Sequence, residues 1–158
     1  MADLIKSLSS EAGIDPSAFM QRALERAVYE HLPADRRREI DNTTALYEMA
    51  QTVAREIRDA GKADEHFTLT VFRAMMAIPN IRALYEEVIG VDAYADKAPG
   101  KMPLNMYLGW YIKKAVGAEP LLDDAGTPRR EYVTGEPIKS YTLLAVEPPV
   151  AAVIVQAS

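Results

Sequence analysis

Cationic side chains gather in the second half of the chain, interspersed with an amide and a tryptophan. Eight residues carry this pattern: Lys101, Asn105, Trp110, Lys113, Lys114, Arg129, Arg130 and Lys139. Lysine and arginine neutralise phosphate groups, and a side-chain amide can pair bidentately with adenine in the major groove of DNA. Residues of these types could together contact a nucleic acid, provided that folding brings them to one side of the molecule.

A helix must position four of these residues, Asn105, Trp110, Lys113 and Lys114, and Lys101 comes just before it. Leu104, Leu108, Ile112 and Ala115 recur at helical spacing and predict a helix over residues 104–116 that buries this stripe. Asn105, Trp110 and the lysine pair fall outside the stripe, so they remain available on the other side of the helix.

A β-ribbon must position the remaining three cations. Tyr, Val, Ile and Thr are frequent after residue 129 and predict strands over residues 130–134 and 138–146. The sequence TGEP, residues 134–137, is the predicted turn between them, and residues 123–126 form an earlier turn. This basic ribbon, residues 129–142, would lie directly after the helix.

The charge of the chain is uneven, and this distribution favours the same region. The whole chain has 158 residues and a net charge of −5, which argues against an unspecific coat for nucleic acid. Residues 97–142, however, hold seven basic and five acidic side chains. The predicted binding segment is therefore locally basic within an acidic protein.

The first 62 residues predict a helical region. A short helix over residues 2–12 is followed by helices over 16–32 and 43–60, and the charged segment 34–42, with three consecutive arginines, is predicted as their connector. The helix over 16–32 carries an apolar stripe: Phe19, Met20, Ala23, Leu24, Ala27, Val28 and Leu32. We expect this stripe and that of the helix over 43–60 to bury each other, and the pair to pack on the rest of the chain or on a second copy.

A polar segment near residues 61–66 is the predicted domain boundary. Two further helices, around residues 69–76 and 81–89, follow it before the helix at 104–116. The predicted organisation is therefore a helical region over 1–62, a domain over 66–147, and an apolar tail over 148–158. The fold class is mainly α with a small β-hairpin (α+β).

The order of elements in residues 66–147 resembles the winged helix-turn-helix module of phage and plasmid replication and regulatory proteins. The residues that carry the resemblance are Leu108-Gly109 in the third helix and GEPIKSYTL, residues 135–143, in the hairpin. The resemblance implies that helix 104–116 is a recognition helix whose first turns enter the major groove, with Asn105 reading a base edge. It also implies that Lys101, Lys113 and Lys114, with the cations of the ribbon, contact phosphates of double-stranded DNA.

A second hypothesis is an acidic protein-interaction module, for example a phage-type adaptor or inhibitor, that binds no nucleic acid. Its binding surface would be a group of methionine and aromatic residues, Met102, Met106, Tyr107 and Trp110, or else the N-terminal helices. Tyr107 and Trp110 are also residues that commonly belong to a core, and the lysine pair is typical of a solvated helix end. A homodimer is compatible with both hypotheses, because the N-terminal stripe and the tail need covering.

Other function classes rank lower. The chain has no cysteine, and its two histidines lie far apart in sequence, so we predict no metal site and no cofactor. An enzyme ranks third, because no phosphate-binding glycine loop or catalytic triad order stands out. No apolar segment has the length of a membrane span or a signal peptide, so we expect a cytoplasmic protein without a membrane partner.

Overall fold

The computed structural model describes residues 1–149, which form six α-helices followed by four short β-strands. The helices are α1 (Ala2–Ala12), α2 (Pro16–Val28), α3 (Ala34–Asp59), α4 (Phe67–Ala77), α5 (Pro79–Ile89) and α6 (Lys101–Ala115). The strands are β1 (Glu119–Pro120), β2 (Arg130–Tyr132), β3 (Ser140–Thr142) and β4 (Leu144–Ala145). The predicted class, mainly α with a small β-hairpin, is confirmed.

Local signals explain where several helices begin and end. The Asp15 carboxylate accepts the backbone N–H groups of Ser17 (2.8 Å) and Ala18 (3.1 Å), so it caps the start of α2. Gly13 after α1 and Gly90 after α5 adopt positive φ angles of 68° and 75°, a conformation that glycine takes without steric cost. None of the helices in residues 1–149 is both long and apolar enough to cross a lipid bilayer.

The longest helix, α3, corrects the prediction of a connector over residues 34–42. These residues are the first turns of α3, which begins directly after Pro33. The segment is polar but contains no internal glycine or proline, and its arginines and glutamate are good helix formers. Arg36 pairs with Glu39 one turn later and with Glu25 of α2 (3.1 Å), so the charge run has partners on the helix.

One hydrophobic core joins α3 to everything that follows it. The buried side chains of α3, among them Leu46, Ala50 and Val53, pack in the same cluster as residues of α4, α5, α6 and the hairpin. The boundary predicted near residues 61–66 therefore separates two segments that share this core. The division into domains stays a prediction about independent folding.

The predicted packing of the N-terminal helices is wrong. α2 packs against α1, while the stripe of α3 is covered by α4, α5 and α6. As a result most of the stripe of α2 faces solvent: Met20 is 47 % exposed, Leu24 64 % and Val28 44 %, while Phe19 and Leu32 are half-buried. Because α4, α5 and α6 already cover the stripe of α3, this stripe is not available to α2.

The β-ribbon lies where it was predicted, but it divides into two short sheets. β2 pairs with β3 in antiparallel register, with Glu131 opposite Tyr141, and the connecting turn contains Gly135 at a positive φ of 73°. β4 pairs with β1 instead, with Pro120 opposite Leu144. The backbone of Leu143 links the two sheets through hydrogen bonds to Arg129 and Leu121. The apolar tail predicted over 148–158 falls, from residue 150 onwards, outside the described residues.

Candidate nucleic-acid interface

A groove of about 610 Å³ separates α6 from the β2–β3 hairpin, and we call it the α6–hairpin groove. Six of the eight residues singled out from the sequence line it: Lys101, Asn105, Trp110, Lys113, Arg130 and Lys139. Lys114 and Arg129 do not. Folding therefore brings most of the predicted set together, although the residues come from segments up to 38 positions apart in the chain.

The buried stripe of α6 decides which of its residues line the groove. Leu104, Leu108 and Ile112 are buried against the core, as predicted. The side of α6 that lines the groove carries Met102, Met106, Gly109, Trp110 and Lys113, three or four residues apart. The floor of the groove is therefore apolar on the helix side, with Lys113 towards the C-terminal end.

Asn105 connects three elements of the structure. Its Oδ1 accepts a hydrogen bond from the Tyr85 hydroxyl of α5 (2.8 Å), and its Nδ2 donates to the carbonyl of Pro137 in the hairpin turn (3.2 Å). Both ends of the amide thus have partners within the chain. The side chain therefore holds the hairpin against α6. The base contact predicted for Asn105 would require these two bonds to break.

We expect Asn105→Ala to lower the free energy of unfolding by about 1–3 kcal/mol, because it leaves the buried Tyr85 hydroxyl and the Pro137 carbonyl without their partners. Urea unfolding followed by circular dichroism measures the change. Thr52→Ala is a matched control, since it also removes one side-chain hydrogen bond, but at an exposed site within α3. A loss no larger than that of the control would contradict the connecting role of Asn105.

Lys101 was predicted to contact phosphates at the surface, but it is buried. The residue is only 8 % exposed, and its ammonium donates to the carbonyl of Ala95 (2.7 Å) in the loop before α6. Burial lowers the pKa of Lys101 from its ordinary value. The side chain fastens that loop to the start of α6, which leaves it little freedom to reach a phosphate.

Lys114 faces away from the groove. Its ammonium donates to the carbonyl of Glu11 at the end of α1, and its aliphatic part lies against Gly13 so closely that a Cβ there would come within 2.6 Å. The expectation that Lys113, Lys114 and Arg130 share one flank therefore holds for Lys113 and Arg130 only. Adjacent residues on a helix point about 100° apart, so Lys114 can reach α1 while Lys113 faces the hairpin.

The hairpin supplies two exposed cations to the groove. Arg130 donates to the Ser140 hydroxyl across the ribbon (2.7 Å), and Lys139 is exposed near the turn. Within residues 1–149, neither they nor Lys113 form an ion pair. Glu136 of the hairpin turn is instead paired with Arg73 of α4, whose Nε lies 3.0 Å from the carboxylate. Two carboxylates, Asp96 and Glu136, also line the groove, but neither lies at ion-pair distance from these three cations.

A cluster of tyrosines on the other side of α6 was not anticipated from the sequence. The Arg22 guanidinium of α2 lies 4.5 Å from the ring centre of Tyr47, 5.2 Å from Tyr107 and 4.9 Å from Tyr111. Tyr107 also meets the Trp110 ring edge-on, with 5.3 Å between the ring centres. Both aromatics therefore have the structural role that is common for these residue types. The spacing of Tyr107 and Tyr111, one helical turn apart, is the signal that could have indicated this cluster.

Comparisons of the chain with protein-family models, with curated proteins and with solved structures found no match. The winged-helix resemblance therefore stays a prediction that depends on the order of elements. No group of three or more His, Asp or Glu side chains in residues 1–149 is placed to hold a metal ion.

Proposed function

We propose that this is a cytoplasmic DNA-binding protein, of a regulatory or accessory kind, that uses the α6–hairpin groove in the manner of a winged helix. The observation that supports this most is the convergence of Lys113, Arg130 and Lys139 on one groove. They come from two separate elements, none is paired with a carboxylate in residues 1–149, and the chain as a whole has a net charge of −5. A cationic groove on an otherwise acidic protein favours docking of a polyanion in one orientation.

The three groove cations are proposed to contact phosphates, with the exposed Arg129 at the edge of the ribbon as a fourth contact. Three residues are left out of the contact set: Lys101 is buried, Lys114 contacts α1, and both ends of the Asn105 amide are already bonded. Met106 and Trp110 supply apolar contacts to sugars or bases. This arrangement provides positioning contacts but few base-edge contacts, so we expect weak sequence preference.

The number of cations determines the expected salt dependence. Each phosphate neutralised on duplex DNA contributes about −0.9 to the slope of log K against log salt, so four contacts predict a slope of roughly −3.6. Raising the salt from about 50 to 200 mM should then weaken binding roughly 100-fold. So small a contact set predicts micromolar rather than nanomolar affinity for a single copy.

The test is to replace Lys113, Arg130 and Lys139 together with glutamine and to titrate a fluorescently labelled duplex at two salt concentrations. We expect the slope of log K against log salt to become shallower, from roughly −3.6 to about −1, because only Arg129 of the four contacts remains. Fluorescence anisotropy measures both the affinity and the slope, and circular dichroism confirms that the variant is folded.

A charge-matched control replaces Lys6, Arg55 and Lys62, which are exposed and lie outside the groove, with glutamine. Both triple variants lose three positive charges, so the control separates a local contact from an effect of net charge. Equal weakening by the two variants, or no duplex binding by the wild-type protein at low salt, would contradict the proposal.

The composition of the groove favours a second candidate, binding of an acidic protein segment. Besides its cations the groove is lined by Met102, Met106, Trp110 and a set of prolines and aliphatic residues: Pro103, Pro120, Pro128, Pro137 and Ile138. Methionine and aromatic residues are enriched where proteins bind one another. Trp110 is the single tryptophan of the chain, so its fluorescence reports on the groove directly. A fluorescence change with an acidic peptide, and none with duplex DNA, would favour this candidate.

A further inference from the structure

Helix α2 packs on the protein with its polar side and presents its apolar side to solvent. An amphipathic surface helix normally does the opposite, because burying the apolar stripe is what stabilises the packed helix. In α2, Met20, Leu24 and Val28 are spaced by one helical turn and are 47 %, 64 % and 44 % exposed. Ala23 and Ala27 beside them are exposed as well.

The inward side of α2 carries its buried residue, Ala18, and is held by two polar contacts, with a third at Tyr29 directly after the helix. Arg22 lies over the tyrosine rings of α3 and α6, at 4.5 Å from the centre of Tyr47. Glu25 pairs with Arg36 at 3.1 Å, and the Tyr29 hydroxyl donates to the Asp41 carboxylate at 2.7 Å. These contacts fix the rotation of α2 about its axis, so the apolar stripe faces outwards as a consequence of the packing.

Helix α1, which packs against α2, also leaves apolar side chains exposed. Leu4 is 57 % exposed and Leu8, one turn later, is 37 % exposed. From their exposed fractions, these two leucines and the α2 stripe together expose roughly 500 Å² per copy, on two helices that pack against each other. This area is comparable with the largest apolar patch of a typical monomer. A patch of that size marks an interaction surface.

We propose that this surface binds the same surface of a second copy, so that α1 and α2 of two chains form an antiparallel four-helix bundle. A symmetric pair would bury on the order of 1,000 Å², which reaches the lower limit for a specific interface and predicts a dimer that dissociates on dilution. The inference does not depend on DNA binding.

A second copy is the favoured occupant because two-fold homodimers are the commonest soluble assemblies, and the stripe can meet its own copy with apolar side chains opposite each other. Met20 and Val28 lie four residues on either side of Leu24. With a two-fold axis at Leu24 and the two α2 helices antiparallel, Leu24 meets its own counterpart and Met20 meets Val28 of the other copy, so the stripe is complementary to itself. The small Ala23 and Ala27 allow the two helices to approach closely, and the antiparallel helix dipoles favour this direction.

Sedimentation equilibrium of the full chain over a wide concentration series tests the association. We expect the apparent mass to rise from one chain to two, and Leu24→Glu to keep the mass of one chain throughout, with unchanged helicity by circular dichroism. Leu122→Glu is the matched control: Leu122 is 56 % exposed, lies outside the N-terminal helices, and its replacement should leave the dimer intact. A wild-type protein that stays monomeric at every concentration overturns the proposal.

Disulfide trapping tests the register without relying on a destabilising charge. The chain contains no cysteine, so Leu24→Cys introduces a single thiol at the proposed two-fold axis. Under a mild oxidant two such thiols lose their protons and two electrons to form one disulfide, which requires Cα atoms within about 7 Å. We expect rapid covalent dimerisation of Leu24→Cys and little of Leu122→Cys. Equal yields for the two variants would overturn the proposed register and, with it, the second copy as occupant.

Discussion

Leu46→Ala is expected to lower the free energy of unfolding by about 3–5 kcal/mol, a large share of the stability of a domain of this size. Leu46 is fully buried on α3, where it packs with residues of α4, α5 and α6. The cost has two parts, the lost burial of the removed carbons and the cavity that a closely packed core cannot fill. Urea unfolding followed at once by circular dichroism and by Trp110 fluorescence measures it.

The same experiment tests the division of the chain near residues 61–66. Leu46 lies before that boundary and Trp110 lies after it, yet both belong to elements that meet in one core. If the core unfolds as a unit, the variant shifts the tryptophan signal and the helical signal equally. The exposed Leu122→Ala is the control and should stay within about 0.5 kcal/mol of the wild type. A tryptophan transition that keeps its wild-type midpoint would show that residues 66–147 fold independently.

Helix positions and the hairpin could be predicted because their signals are local. Glycines at positive φ end α1 and α5, Asp15 and Pro16 begin α2, and the buried stripe of α6 follows from its spacing. The start of α3 was not predicted because a run of charged residues is typical of a connector. Arginine and glutamate are nevertheless compatible with a helix, and here Arg36 has a partner in Glu25.

The candidate site could be predicted only in part, because the sequence does not show which polar atoms are already bonded. Six of the eight residues do line one groove. The hydrogen bonds that occupy Asn105 join it to residues 20 and 32 positions away, and Lys114 reaches back 103 positions to α1. Spacing along one helix carries no information about such distant partners, so it cannot distinguish a free cation from a bonded one.

The rotation of α2 was missed for the same reason. Its apolar stripe alone predicts burial within the chain. The tyrosine cluster, assembled from Tyr47 on α3 and a pair of tyrosines on α6, explains why the Arg22 side faces inwards instead. A stripe therefore predicts that a helix will bind an apolar surface but does not say whether that surface belongs to the same chain.

The protein is expected to lose about 2 kcal/mol of stability between pH 10 and pH 12 through one residue, Tyr85. Its side chain is fully buried on α5, and burial raises the pKa of its hydroxyl from the ordinary 10.0 to about 12. The hydrogen bond to Asn105 acts in the opposite direction but is the smaller effect. The folded state thus favours the neutral phenol, while the unfolded chain releases the proton near pH 10.

The sign follows from proton linkage. The contribution of Tyr85 is complete below pH 10, and it decreases as the pH rises towards 12 because only the unfolded state loses its proton in that interval. Tyr85→Phe removes this titration but also leaves the Asn105 carbonyl oxygen without its donor, which costs about 1–3 kcal/mol at neutral pH. We therefore expect the variant to be the less stable protein at pH 8, with the difference shrinking or reversing by pH 12. Other tyrosines such as Tyr47 titrate in both proteins, so the difference between the two unfolding free energies isolates Tyr85. A difference that stays constant from pH 8 to pH 12 would contradict the raised pKa.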